Sequence, residues 1–174
     1  MRPFQLLLAV AAPALLVSAA PPARAAEPEA PFVSTGEIVY RTSAAYDATR
    51  VRGPNVNMAV TKDGSWGGNL LAKDVMLKIA PDRITGAGVN LVVKQDATSI
   101  SVEGMISGIR VRVKATATTF VGRVGDRQAE CGREASGYCY MTGGRTSSMH
   151  FKGTANRWPD VPMPQWIFAV IGAI

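Results

Sequence analysis

Apolar and polar residues alternate strictly over several runs in the central part of the chain. In the clearest run, 109–118, apolar residues occupy the odd positions and Arg, Lys or Thr the even ones. Because successive side chains of a strand point to opposite faces, such runs predict strands with one face in the core. One-sided sheets of this kind are typically antiparallel. The alternating runs are 55–60, 75–80, 89–94, 100–103 and 109–118.

Turn-forming residues separate these runs, and the intervals between turns are short. Regular short strands between turns favour an all-β fold, either a mainly antiparallel sandwich or a small barrel. Helical turns are expected at most at 42–49 and 125–130. The turn segments are 52–54, 62–64, 80–82, 95–97 and 122–125.

A faint internal repeat runs through the alternating region. The segment 88–94 matches 108–114, and 68–73 corresponds more weakly at the same interval. One repeated hairpin or one rung of a β-solenoid would give this interval. The polar alternate residues favour the hairpin, because they suit an exposed antiparallel face.

The C-terminal segment departs from the alternating pattern. Prolines interrupt 158–164, and Gln165–Ile174 is then almost wholly apolar. We expect a short helix or a final strand that closes the core. The alternative is an exposed tail that docks on a protein or a membrane surface through Trp166, Ile167 and Phe168.

Residues 1–25 have the features of an export signal. Arg2 supplies a positive charge, 4–17 is an apolar stretch, and Ala23-Arg24-Ala25 places small residues where signal peptidase requires them. A retained anchor is disfavoured, because the apolar stretch is shorter than the about 20 residues that span a bilayer. We therefore predict a periplasmic or extracellular protein, with an extended lead-in at 26–34 and a single β domain at 35–174.

Composition fits an exported globular domain. Of 174 residues, 47% are apolar and 18% charged, which excludes a disordered chain. Loss of Arg2 and Arg24 with the signal would lower the net charge from +6 to +4. The two cysteines, Cys131 and Cys139, are expected to form a disulfide in an oxidising compartment.

A basic stripe is the clearest surface feature. Arg110, Arg112 and Lys114 occupy successive outward positions of one predicted strand. Such a stripe suits an anionic envelope polymer or lipid head groups, although a solvated strand face has the same pattern. No aromatic residues interleave the stripe, so we expect no nucleic-acid partner.

Aromatic residues near flexible glycines form a second candidate site. Tyr138, Tyr140, His150 and Trp158, close to Gly143-Gly144, could line a pocket for a carbohydrate or an apolar ligand. Packing around the disulfide would explain the same residues.

Catalytic patterns are weak. The pair Ser148 and His150 would share a strand face, and separated carboxylates such as Glu37, Asp74 and Glu103 could meet across a sheet. No metal site or cofactor motif is expected, because there is one histidine and no phosphate-binding loop.

The function predicted from the sequence is an exported, non-catalytic binding or structural module of the cell envelope. The alternatives are a small hydrolase with a site from Ser148 and His150 or from separated carboxylates, and a carrier of a lipophilic ligand. The carrier would have a barrel cavity lined by Val89, Leu91, Ile109 and Val111.

Overall fold

A computed structural model describes residues 32–140, 149–157 and 163–174. The expected export signal, Trp158, Ser148 and Gly143-Gly144 lie outside the described residues. The described part contains fourteen strands, a 3₁₀ turn and one α-helix. The strands are β1 Gly36–Val39, β2 Ser43–Tyr46, β3 Arg50–Gly53, β4 Val56–Val60, β5 Trp66–Leu70, β6 Lys73–Ala80, β7 Arg83–Gly86, β8 Val89–Gln95, β9 Ser99–Ile106, β10 Ile109–Thr116, β11 Thr119–Val124, β12 Arg127–Arg133, β13 Tyr138–Tyr140 and β14 Met149–Gly153. The 3₁₀ turn is Thr154–Asn156, and α1 is Met163–Ala173.

The strands form a closed antiparallel barrel. Each strand pairs with its neighbours in sequence, and β1 pairs with β14 to close the sheet. The all-β prediction is confirmed. Of the two predicted architectures the structure has the barrel, and with fourteen strands in the described part it is larger than the small barrel that was expected. The two best-matching segments of the internal repeat correspond to β8 and β10, two strands of the same antiparallel meander, so the solenoid interpretation is wrong.

Both expected helical turns are wrong. Segment 42–49 contains β2, in which Ala44 and Tyr46 point inward and Ala45 between them is less buried. Segment 125–130 contains the start of β12. In each case pairing with neighbouring strands decides the conformation, since such short segments carry too little local preference to form a helix.

Helix α1 lies inside the barrel. It packs against β1–β4, while Phe168 meets Trp66 of β5 edge to face at 5.4 Å. Trp166 stacks on Phe151 of β14, with ring centroids 6.4 Å apart. A Cβ atom at Gly122 of β11 would come within 2.5 Å of Ile174, so the helix also touches the far side. Contacts on several sides explain why every residue from 166 to 174 is buried.

Both ends of α1 form hydrogen bonds with polar groups of the surrounding chain. The side chains of Thr42 and Asn55 donate hydrogen bonds to the carbonyl of Gly172, at 2.8 and 3.1 Å. At the other end, Gln165 donates to the carbonyl of Ala48 at 2.6 Å, and the indole of Trp166 donates to the carbonyl of Ala155. These bonds satisfy polar groups that burial would otherwise leave without partners.

The expected helix at the C-terminus is confirmed. Trp166, Ile167 and Phe168 are at most 1% exposed, so in this structure they close the core and present no docking surface. A helix that is apolar all round is stable only when it is buried on all sides, as here. No helix in the described ranges is long and apolar enough to span a membrane.

Candidate functional site

The basic stripe lies on the outer face of β10. Arg110, Arg112 and Lys114 are exposed, while Val111 and Val113 between them are buried in the core. The alternation in the sequence therefore has the predicted orientation. Strands β9 and β11 flank β10, so the stripe lies within a continuous sheet.

A groove of about 520 Å³ follows the outer face of β8, β9 and β10. Its floor includes Gly104 of β9, at a position where the backbone φ is 155° and a Cβ would lie 2.0 Å from the carbonyl of Asn90. Only glycine fits such a close approach to the backbone of the neighbouring strand. The groove is lined by Val92, Lys94, Ser101, Glu103, Gly104, Met105, Arg110, Val111 and Arg112.

Cations outnumber carboxylates at the groove. Arg112 forms an ion pair with Glu103 at 3.1 Å, and both side chains are about 60% exposed. Arg112 also stands directly opposite Arg123 of β11, a like-charge pairing that disfavours the sheet. Among the described residues, no ion pair engages Arg110, Lys114 or Arg123. The arrangement is suited to an added anion.

Neighbouring strands extend the basic surface beyond the stripe. Lys94 of β8 and Lys114 of β10 both face Ser101 of β9, one from each side. Two rows of cations therefore cross the sheet, one through the lysines and one through Arg112 and Arg123. The sequence pattern places Arg123 downstream of the stripe but does not reveal Lys94, because Lys94 joins the stripe only through strand pairing.

Glycines recur at equal intervals along the chain, and one of them, Gly104, lines the groove. Gly68, Gly86, Gly104 and Gly122 recur at equal intervals, on β5, β7, β9 and β11. A glycine inside a strand indicates a bend or a close backbone approach. The match between 88–94 and 108–114 indicates repeated hairpins and does not reveal the role of these glycines.

Three of the four aromatic candidates come together on the outer face of β13 and β14. Tyr138 stacks on His150 with ring centroids 3.9 Å apart, and Tyr140 lies 6.1 Å from Tyr138. Trp158 lies outside the described residues. Partial burial lowers the pKa of His150, and the charge of Lys152 lowers it further, against smaller opposing effects of Glu37 and a backbone group of Ser136. The lowered pKa favours the neutral form of the imidazole.

The carboxylates considered for hydrolysis are dispersed. Glu37 on β1 pairs with Lys152 at 2.9 Å, and Glu103 on β9 pairs with Arg112. Asp74 on β6 accepts a hydrogen bond from Asn69. Each of the three carboxylates therefore contacts a cation or an amide, and they do not form a catalytic pair with one another. Ser148 lies outside the described residues, and those residues contain no group of side chains that could hold a metal ion.

The residues considered for a carrier cavity divide between two places. Val89, Leu91 and Val111 are buried in the packed core. Ile109 lines a second pocket, of about 490 Å³, among the turns at one end of the barrel. Since α1 occupies the interior beside β1–β4, a lipophilic ligand there would compete with the helix.

One buried cation has a structural role. Arg133 faces inward, 4.8 Å from the ring of Phe151, and donates to the carbonyls of Thr116 and Asn156. Desolvation lowers the pKa of its guanidinium. These contacts join β12 to the end of β10 and to the 3₁₀ segment, so the residue stabilises the barrel.

The predicted disulfide is confirmed. Cys131 of β12 and Cys139 of β13 are bonded, with Cα atoms 5.3 Å apart, and both face the core.

Comparisons of the chain with protein-family models, with curated proteins and with solved structures find no match.

Proposed function

We propose that this protein is an exported, non-catalytic binding module of the cell envelope, and that the groove over β8–β10 binds an anionic polymer. The observation that carries the proposal is the concentration of cations around an open groove, most of them without an ion pair in the described part of the chain. A ligand with repeated negative charges would neutralise Arg110, Lys114 and Arg123 together.

Two features support export. Residues 1–25 have the composition of a cleavable signal. The disulfide between Cys131 and Cys139 is of a kind that persists in oxidising compartments such as the periplasm.

The shape of the groove favours a polymer over a lipid head group. Cations recur along β10 and again on β8 and β11, so they spread over three strands rather than surround one point. Successive outward positions on a strand are about 6.6–6.8 Å apart. A chain with regularly spaced anions meets several of these cations at once, whereas a single head group meets one or two.

Retention on immobilised inorganic polyphosphate tests the proposal. We expect the chain without residues 1–25 to be retained at low salt and released as salt rises, because exposed charges are screened. The double variant Arg110→Glu/Arg112→Glu should weaken binding about tenfold or more.

The matched control is Lys62→Glu/Lys73→Glu. It changes the net charge equally at two exposed positions outside the groove lining. Equal losses in both double variants would reduce the effect to net charge and contradict the proposal. Binding to anionic phosphatidylglycerol vesicles without retention on polyphosphate would replace the polymer by lipid head groups.

A further inference from the structure

Tyr138 and Tyr140 form a flat aromatic wall on the outer surface of the barrel. Tyr138 is directly opposite His150 in the sheet, and their rings are stacked with an interplanar angle of 14°. The normal of the Tyr138 ring therefore points across the strands. The Tyr140 ring is within 23° of parallel but is displaced by 6.1 Å along the same strand. The two rings are therefore roughly parallel, with their centres offset.

One face of this wall is open. His150 covers the Tyr138 ring from the β14 side, whereas Gly132 of β12 stands opposite Tyr140 on the other side. A Cβ placed on Gly132 would have no atom of the described residues within 4 Å. The space beside the Tyr140 ring is thus free of neighbouring side chains in the described part of the chain.

Carboxylates flank the open side. Glu134 is exposed, and its backbone N–H donates to the carbonyl of Tyr138, so the two residues lie across from each other. Glu130 is exposed on β12, on the same strand as Gly132. Each carboxylate accepts a side-chain hydrogen bond at Oε2, from Ser136 and Gln128 respectively, and no bond to either Oε1 is found in the described part. Acceptors of this kind select ligands that present donors and repel anions.

The cleft between β12 and β13 is held by a covalent bond. The disulfide between Cys131 and Cys139 joins the two strands directly beneath it. Gly137, at a φ of 88°, completes the tight turn that leads from Glu134 into Tyr138. The backbone that carries these residues is therefore fixed before a ligand arrives, which lowers the entropic cost of binding.

We infer that this cleft binds a pyranose ring of a neutral glycan, with the apolar face of the sugar against Tyr140 and its hydroxyl groups donating to Glu130 and Glu134. A sugar ring combines an apolar C–H face, which the negative face of an aromatic ring attracts, with donors around its edge. The inference concerns a different face from the cationic groove and does not depend on it.

Affinity electrophoresis in gels containing hydroxyethylcellulose tests the inference. We expect the wild-type chain to be retarded, Tyr140→Ala to lose about tenfold in affinity, and Tyr140→Phe to retain binding because the ring remains. Gly132→Gln should abolish retardation by filling the cleft, and its Cβ meets nothing in the described structure that would disturb the fold. Met76→Ala is the control, since Met76 is an exposed apolar residue on β6.

Three results would overturn the inference. In the first, gels of hydroxyethylcellulose, dextran or galactomannan do not retard the wild type. In the second, Gly132→Gln leaves the retardation unchanged. In the third, Tyr140→Ala and Met76→Ala lose affinity equally. Binding to tetramethylammonium but to none of the three glycans would assign the cleft to an organic cation instead.

Discussion

The two sides of the barrel reach stability by different means. On the helix-lined side, β1–β5, strands are short and pack against α1, which comes from the far end of the chain. On the long-strand side, β8–β12, strands are longer and are held mainly by neighbouring hairpins. The long-strand side also carries the cationic groove. Long-range packing inside the barrel therefore stabilises one side, while local strand pairing stabilises the other.

Removal of α1 is the strongest test of this difference. Truncation after Pro164 deletes the continuous buried segment 166–174. Each large side chain contributes roughly 1.5–3 kcal/mol, and together they are comparable to the roughly 5–15 kcal/mol by which a typical protein is stable. We expect the truncated chain to lose its cooperative thermal transition in circular dichroism. An unchanged melting temperature would contradict the packing of α1 as a core element.

Single truncations in the two sides should differ in size. Phe168→Ala removes a fully buried ring that meets Trp66, and we expect a loss of about 3–5 kcal/mol. Val113→Ala on β10 removes far fewer atoms and should cost about 2 kcal/mol. Urea unfolding of both variants measures the difference. A larger cost for Val113→Ala would show that α1 is loosely packed.

The same contrast explains what could be predicted from the sequence. On the long-strand side the alternation in 109–118 identified β10, its faces and its basic stripe, because period-two patterning needs only local information. On the helix-lined side β5 was missed, since Gly67 and Gly68 interrupt its apolar pattern. Helix α1 lacked an amphipathic signature because the barrel surrounds it. The groove at Gly104 and the cleft at Gly132 depend on strand register, which no single segment encodes.

Two tight turns provide a test of backbone strain. Leu71 and Ala72 join β5 to β6 with φ values of 53° and 60°, whereas the β9–β10 turn places Gly108 at 86°. The left-handed conformation costs roughly 1–2 kcal/mol in a residue with a Cβ. Ala72→Gly should therefore stabilise the protein by about 1 kcal/mol, and Gly108→Ala should destabilise it by a similar amount. Thermal unfolding of the two variants measures both shifts, and shifts of the same sign would contradict the assignment of strain.

The smallest effect concerns pH. In the β8–β9 turn, hydrogen bonds from Thr98 and Ser99 lower the pKa of Asp96 to about 2. In the unfolded chain an aspartate has a pKa of about 3.9. The ionised carboxylate therefore adds stability above pH about 4, and this stability is lost as pH falls towards 2. Asp96→Asn should lose less stability than the wild type between pH 5 and pH 2.5 in urea titrations.

The control for this pH effect is Asp82→Asn, which removes a carboxylate from the neighbouring β6–β7 turn. If Asp96→Asn and the wild type lost equal stability between pH 5 and pH 2.5, the ionised carboxylate of Asp96 would not contribute to the free energy of unfolding.

Hydrogen–deuterium exchange with and without inorganic polyphosphate tests the central claim, that the groove of the long-strand side is the anion-binding surface. Polyphosphate contains no sugar ring, so it does not probe the cleft beside Tyr140. We predict that added polyphosphate slows exchange in β8, β9 and β10, and that Arg110→Glu/Arg112→Glu abolishes the effect. Protection confined to the turns around Ile109 and Arg127 at the barrel end, or to β13 and β14, would contradict the account.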